Sequence, residues 1–318
     1  MPYQRRQPTS SRGSLNSWRK TKKQPRESRG TSLLNINNVS LLNPVYKSAP
    51  ALRKILLTND DGVGKYGLWV LYEEIKSLGD VTVVAPESAR SSTGMSLTFH
   101  KALRIKKIMI RGKVAYAVSG NPADCISLGI YRILNGRKPD LVVSGINEGD
   151  NISIQAVYSS GTVAAAVHAA IMGIPSIAFS LHIPENNWEE RREIKLRMVK
   201  AAEVAGRITK WLMEKGLPEG VDYINVNFPY EIDRKTDIEI TTLSKARYND
   251  FIIERRDPRG KPYYWQWGKL KPVTEFKPGT DAYALFVEKK ISISPMSLDT
   301  SVKASENLLE EIRRFIKS

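Results

Sequence analysis

Short, wholly apolar runs alternate with amphipathic segments between residues 54 and 230, and this alternation constrains the fold more than any other feature of the chain. The runs lack the polar alternation of a half-exposed strand, which indicates strands buried on both faces. They occupy residues 55–58, 81–85, 141–144, 176–180 and 223–228. The segments between them carry apolar residues at helical spacing over residues 65–78, 121–134, 160–172 and 189–215. Strands that alternate with helices predict an α/β fold with a doubly wound, mostly parallel sheet.

A different pattern follows this core, so we place residues 51–235 in one domain and residues 236–318 in another. Short strands are predicted at residues 238–243, 251–256, 263–267 and 284–287, and an amphipathic helix at residues 302–316. The turn residues Pro258, Arg259 and Gly260 predict a β-hairpin within this second segment. The hairpin is rich in Tyr, Phe and Trp, which suits a contact between subunits; a surface that stacks nucleic-acid bases is the alternative.

The first 50 residues are strongly basic. They contain ten Lys and Arg residues against one acidic residue, Glu27, in a chain whose net charge is +16. The segment shows no sustained periodicity and buries too little apolar surface to offset the entropy of ordering it, which predicts a disordered extension. The alternative is a basic arm that contacts nucleic acid, and any nucleic-acid binding is expected to depend on this tail.

The cysteine content and hydropathy predict a soluble, cytoplasmic protein that does not contact a membrane. Cys125 is the single cysteine, so no internal disulfide can form. No apolar run has the length of a bilayer span, and no apolar segment of signal-peptide type follows the basic N-terminus.

An acidic turn directly after the first strand is the strongest local signal for chemistry. Asn59, Asp60, Asp61 and Gly62 follow a buried strand, and ligands of open parallel sheets bind beyond the carboxyl ends of strands. Two adjacent carboxylates repel each other unless a cation lies near them, and oxygen ligands suit Mg²⁺. The turn taken alone equally suits an Asx turn or a helix cap.

Polar residues at three other loops support the metal interpretation. The loop after the second strand, residues 85–94, is rich in hydroxyl groups that could supply a metal ligand, and it contains Arg90, a candidate phosphate contact. Asn147 follows a later strand and offers a neutral oxygen. Ser160 opens an Ala-rich helix, where backbone N–H groups and hydroxyls bind phosphate readily. All of these loops should meet at one edge of the sheet, and that convergence predicts a functional site.

Several other chemistries fit the sequence poorly. His100, His168 and His182 lie far apart, and Cys125 is the only cysteine, so no zinc-binding pattern is present. The chain contains neither a Gly-x-Ser-x-Gly elbow nor a Walker loop. A transferase that handles nucleotide sugars would need a second donor-binding motif, which the sequence does not offer.

The same motifs make the sequence resemble the SurE family over residues 53–316. The acidic turn carries the first match, and further matches follow in order along the chain. They are Val84-Ala85-Pro86 with Arg90 and Ser91, Ser96-Leu97-Thr98, Gly120-Asn121-Pro122-Ala123-Asp124-Cys125, Asp140-Leu141-Val142-Val143-Ser144-Gly145-Ile146-Asn147, Ser160-Gly161-Thr162-Val163, Asp257-Pro258-Arg259-Gly260 and Gly279-Thr280-Asp281. The chain departs from the family pattern at Ser92, where glycine usually follows the liganding serine, and at Asn121 and His168.

The resemblance implies a Rossmann-like core with a projecting β-hairpin and a C-terminal helix that mediate dimers or tetramers. It also implies a metal-dependent phosphomonoesterase that hydrolyses nucleoside 5′- and 3′-monophosphates, with one divalent ion, Mg²⁺ or Mn²⁺, in each subunit. The family's metal ligands carry over to Asp60, Asp61, Ser91 and Asn147, and either aspartate is expected to accept a proton in catalysis. The phosphate contacts expected here are Asn59, Arg90, Ser160, Gly161 and Thr162.

Overall fold

The computed structural model describes residues 53–184, 191–246, 248–270, 276–303 and 306–317. The strands are β1 (Lys54–Thr58), β2 (Asp80–Pro86), β3 (Ile105–Ile110), β4 (Lys113–Val118), β5 (Leu141–Glu148), β6 (Ser176–Leu181), β7 (Tyr223–Phe228), β8 (Ile238–Ile240), β9 (Tyr248–Arg256), β10 (Pro262–Leu270) and β11 (Ile291–Met296). The helices are α1 (Tyr66–Ile75), α2 (Pro122–Leu128), α3 (Ser153–Ser159), α4 (Gly161–Ile171), α5 (Arg191–Lys215), α6 (Asp281–Phe286) and α7 (Glu306–Lys317). The predicted basic extension, residues 1–50, lies outside the described residues.

Nine strands form one twisted sheet in the order β3-β4-β2-β1-β5-β6-β7-β11-β8. The five central strands and the β2–β4 pair are parallel, whereas β3 runs antiparallel to β4 and β11 runs antiparallel to β7. Strand β1 lies between β2 on one side and β5 on the other, so the winding direction reverses there. Crevices at such reversals are the usual ligand sites of open α/β sheets. The predicted α/β class and mostly parallel sheet are confirmed.

Consecutive side chains of β1 pack alternately into the two hydrophobic layers of the fold. Ile55 and Leu57 pack with α1 and α5 on one face, and Leu56 packs with α2 and α4 on the other. All three side chains are buried. Helices on both faces explain why the strands are apolar without alternation, because neither face of the sheet reaches solvent.

The hairpin β9–β10 forms a separate two-stranded sheet, and α7 lies near the end of the chain. Both elements carry exposed apolar side chains: Tyr264 and Trp265 are about 60% exposed on the hairpin, and Leu309 and Phe315 are 52% and 84% exposed on α7. The predicted hairpin and C-terminal helix are therefore confirmed as elements. Their role in assembly remains a prediction.

Several predicted helices and strands differ from those in the structure. A strand was predicted for residues 284–287, but residues 284–286 belong to helix α6 and Val287 is its C-cap, because the Thr280 side chain accepts a hydrogen bond from the Tyr283 N–H and caps the start of the helix. Helix α3 and strand β11 were not predicted. The last helix begins at Glu306 instead of residue 302, and the helix predicted for residues 121–134 continues beyond Leu128 as a π-helix.

Within the described ranges, no single helix combines the length and apolar composition of a membrane span. Helices α3 and α4 reach that composition only when taken together, and they are bent by 73° where they meet.

Candidate active site

A polar cavity of about 370 Å³ opens where β1 and β5 end, at the reversal of the sheet. Five of the predicted site residues line it: Asp60, Asp61, Ser91, Asn147 and Ser160. They come from loops that are up to 100 positions apart along the chain. The predicted convergence of these loops is therefore present in the structure.

Asn59 shapes the acidic turn from within. Its side chain is fully buried; the Nδ2 donates to the Gly62 carbonyl at 3.1 Å, and the Oδ1 accepts from the Gly62 N–H at 3.2 Å. Both ends of the amide are thus used to close the turn that presents Asp60 and Asp61. Asn59 does not line the cavity, so its contact with phosphate remains a prediction.

The start of helix α4 holds Asp60. The Thr162 hydroxyl donates to the Asp60 Oδ1, and the backbone N–H groups of Gly161 and Thr162 also bond the carboxylate. The Asp60 side chain is only 5% exposed, and burial raises its pKa although these hydrogen bonds act in the opposite direction. Gly161 is required for this approach, because a Cβ there would lie 2.7 Å from the Asp60 Cβ.

Asp61 lies among like charges. Burial, together with the charges of Asp60 and Glu148, raises its pKa to about 7. Its Oδ2 accepts a long hydrogen bond of 3.4 Å from the Glu148 N–H. Among the described residues, no Lys or Arg forms a salt bridge with Asp60 or Asp61. The charge of Lys65 lowers the pKa of Asp61 by less than the charge of Asp60 or Glu148 raises it, so the protein compensates the carboxylate charge only in part.

Two further donors face the same space. The Asn147 Nδ2 donates to the Gly149 carbonyl at 2.9 Å, which leaves the Oδ1 as the atom that the side chain can offer to a cation. Ser91 is exposed in the loop after β2. The next residue, Ser92, has a φ of 56°, in the left-handed region that favours glycine. Ser92 thus adopts the backbone conformation to which the family's usual glycine is suited, and the structure gives no reason for the serine.

Ser160 joins α3 to α4. Its Oγ accepts from the Val163 N–H at 3.1 Å and caps α4, so its hydroxyl hydrogen can point to a ligand. Gly161 and Thr162 hold Asp60 and do not line the cavity. Arg90 does not line it either, because its guanidinium donates to the Ser119 carbonyl at 3.0 Å. The phosphate contacts of these three residues remain predictions.

Other residues of the cavity wall are not among the predicted site residues. Glu148 lines it from the end of β5, Asp150 and Asn151 line it from the loop after β5, and Gln155 lines it from α3. Asn151 is buried: its N–H bonds the Asn227 Oδ1 at 2.7 Å, and its Nδ2 bonds the Ser180 Oγ at 2.8 Å. Asp150 bonds the His182 Nδ1 at 2.7 Å. The run of polar residues after Asn147 was the available signal, but only the fold shows which of them face the cavity.

The donors present fit a hard divalent cation. All four predicted ligands offer oxygen, and a cation beside Asp60 and Asp61 would relieve the repulsion that raises the pKa of Asp61. In the part of the chain that the structure describes, no three His, Cys, Asp or Glu side chains are placed to hold a metal ion. The hydroxyl of Ser91 and the amide of Asn147 would therefore be needed to complete the set.

Comparisons with known proteins identify the family of the chain. The family described as "Survival protein SurE" matches residues 55–250. The 5′-nucleotidase SurE of Methanocella arvoryzae is 41% identical over 268 residues, covering 83% of this chain and 98% of the relative. That of Hyperthermus butylicus is 44% identical over 269 residues, covering 83% and 93%. The crystal structure of the SurE protein from Aquifex aeolicus superposes with a TM-score of 0.66 at 36% identity, covering 83% of this chain and all of that one. As the sequence motifs predicted, this chain belongs to the SurE family.

Proposed function

We propose that this protein is a metal-dependent phosphomonoesterase that hydrolyses nucleoside 5′-monophosphates, and also 3′-monophosphates, to nucleoside and phosphate. The observation that carries the proposal is the pair of adjacent carboxylates, the buried Asp60 and the half-buried Asp61, in a polar cavity at the reversal of the sheet. The relatives that match most of this chain are named 5′-nucleotidases. Membership of the family also implies a divalent metal in general.

Asp60, Asp61, Ser91 and Asn147 would hold one Mg²⁺ or Mn²⁺ ion in each subunit. When bound, such an ion neutralises phosphate charge and lowers the pKa of a bound water toward ~7. The protein contributes an acidic turn made rigid by Asn59 and a carboxylate, Asp60, fixed by Thr162. Both features set the donor positions before the substrate arrives.

The two aspartates would have different roles in catalysis. Asp60 is fixed by the start of α4, whereas Asp61 is half-buried and has one long hydrogen bond to the Glu148 N–H. Asp61 is therefore the better placed carboxylate to accept a proton from the attacking water. Its neighbours Asp60 and Glu148 raise its affinity for that proton.

The substrate's phosphate would bind at the junction of α3 and α4. The Ser160 hydroxyl lines the cavity. Its oxygen accepts from the Val163 N–H, so its hydrogen is available to donate to a phosphate oxygen. Gly161 and Thr162 would act mainly by holding Asp60. Asn59 and Arg90 would support the loops around the phosphate, since their side chains bond the Gly62 backbone and the Ser119 carbonyl.

We also propose a homo-oligomer, a dimer or a tetramer. In it, the exposed apolar side chains of the hairpin and of α7 in one subunit would be covered by those of a neighbouring subunit. The alternative of a nucleic-acid-binding module rests on the basic residues 1–50, which lie outside the described residues.

Phosphate release from 5′-AMP and 3′-AMP tests the function. The assay is run with Mn²⁺ or Mg²⁺, with and without EDTA, on the wild type, on Asp60→Asn and on Asp222→Asn. Asp222 precedes β7, at the edge of the sheet opposite the cavity, and its carboxylate accepts a hydrogen bond from the Leu298 N–H at 2.6 Å. We expect activity that needs metal, that falls at least about 100-fold in Asp60→Asn, and that Asp222→Asn retains. Full activity in the presence of EDTA would refute the proposed metal dependence.

A further inference from the structure

A buried carboxylate from the C-terminal part of the chain bonds the backbone next to the candidate active site. Asp281, the first residue of α6, is fully buried. Its Oδ2 accepts from the Ser153 N–H, and its Oδ1 accepts from the N–H groups of Ser244 and Ala282, each at 2.7 Å. No described Lys or Arg forms a salt bridge with it. A buried carboxylate of this kind depends on its N–H donors for stabilisation, so the three backbone segments are held together.

The segment held by the Oδ2 is the start of helix α3. Ser153 has a φ of 69°, a left-handed conformation that is unfavourable for a residue with a Cβ, so other contacts must maintain it. The Asp281 bond is one of these contacts. On either side, Ile152 packs with Ala282 and Leu285 of α6, and the Ile154 N–H donates to the Ser244 carbonyl at 3.0 Å.

Helix α3 connects this anchor to the cavity. Gln155, Ala156 and Ser159 of α3 line the cavity, and α3 runs directly into Ser160, which caps α4. A displacement of the start of α3 therefore moves the wall of the cavity on its phosphate side. Asn147 lies on the other side, and the loop that follows it is held independently, because Asn151 is bonded by Asn225, Asn227 and Ser180.

We propose that Asp281 is a positioning residue of the active site: through the Ser153 N–H it fixes helix α3, and with it the phosphate-binding side of the cavity. This inference rests on the proposed function. Asp281 does not line the cavity, so it acts through α3 and not on the substrate. The loop after Asn147, on the metal side of the cavity, has further anchors in the bonds of Asn151.

Asp281→Asn tests the role with little change in size. An amide has one oxygen, so a side chain that keeps the Ser244 and Ala282 bonds must turn its NH₂ group toward the Ser153 N–H and lose that bond. We expect kcat/KM for 5′-AMP to fall about 10–100-fold, as for other residues that hold the groups of a site in place without contacting the substrate. The Mn²⁺ concentration for half-maximal activity should stay unchanged. Amide hydrogen exchange at Ser153 and Ile154 should accelerate.

Asp222→Asn is the matched control, because it also removes one oxygen from a carboxylate that bonds a backbone N–H, but at the opposite edge of the sheet. All variants are assayed well below their unfolding midpoints, so that lost stability alone does not lower activity. An unchanged kcat/KM in Asp281→Asn, beside an active wild type, would overturn the positioning role alone. An inactive wild type would overturn the proposed function and, with it, this role.

Amide hydrogen exchange of the wild-type protein provides a second test, which does not depend on whether a variant folds. The Ser153 amide should exchange as slowly as the amides of the central strand β6, because its acceptor is a fully buried carboxylate. Exchange at the rate of an exposed loop would overturn the proposal.

Discussion

Replacing Gly161 by alanine tests whether the start of α4 sets the position of Asp60. The added Cβ would lie 2.7 Å from the Asp60 Cβ and 2.9 Å from its Oδ2. Ordinary carbon contacts are about 3.5–4.0 Å, so either Asp60 or the helix must move by about 1 Å. Overpacking of this kind costs about 1–3 kcal/mol, and alanine recovers about 0.5–1 kcal/mol relative to glycine in a helix. A net loss of roughly 1–2 kcal/mol lowers the unfolding midpoint by about 2–8 °C.

The effect on activity should be much larger than the effect on stability. A misplacement of about 1 Å in a catalytic group costs about 100-fold in rate, so we expect kcat/KM for 5′-AMP to fall by about that factor. Gly64→Ala is the matched control, because a Cβ there meets nothing within 4 Å. The measurements are steady-state phosphate release and thermal unfolding of both variants. Near-wild-type activity in Gly161→Ala, or an equal loss in Gly64→Ala, would refute the reasoning.

Two further predictions concern stability. Asn59→Ala leaves the buried Gly62 N–H without its acceptor and should cost about 1–3 kcal/mol in urea unfolding; an unchanged midpoint would show that the turn closes without this side chain. Burial lowers the pKa of His168, against the opposing charge of Asp124, so the folded protein favours the neutral ring. Its contribution to stability is present above about pH 6.5, the unfolded value, and is lost as pH falls through the lower folded value. His168→Gln should therefore reduce the loss of unfolding free energy between about pH 7.5 and pH 5.5, and equal pH slopes for variant and wild type would contradict this assignment.

The sequence by itself determined the core and much of the site. The apolar runs at residues 55–58 and 141–144 predicted doubly buried strands because composition reflects burial on both faces of a sheet. The carboxyl ends of parallel strands meet at one edge, so Asp60 and Asn147 were expected to converge before any coordinates were known. Both residues line the cavity.

Only the tertiary structure decided which polar groups face the cavity and which serve the backbone. The Thr162 hydroxyl bonds Asp60 across 102 positions, and the Ser153 N–H bonds Asp281 across 128. The apolar residues 284–287 were predicted as a strand, yet residues 284–286 belong to helix α6, which Thr280 caps and whose first residue anchors α3. The periodicity of apolar residues carries information only about residues that lie within a few helical turns of one another in the chain. Contacts between distant residues depend on how the layers pack, and this packing decides the role of Gly161, the raised pKa of Asp61 and the position of Asp281.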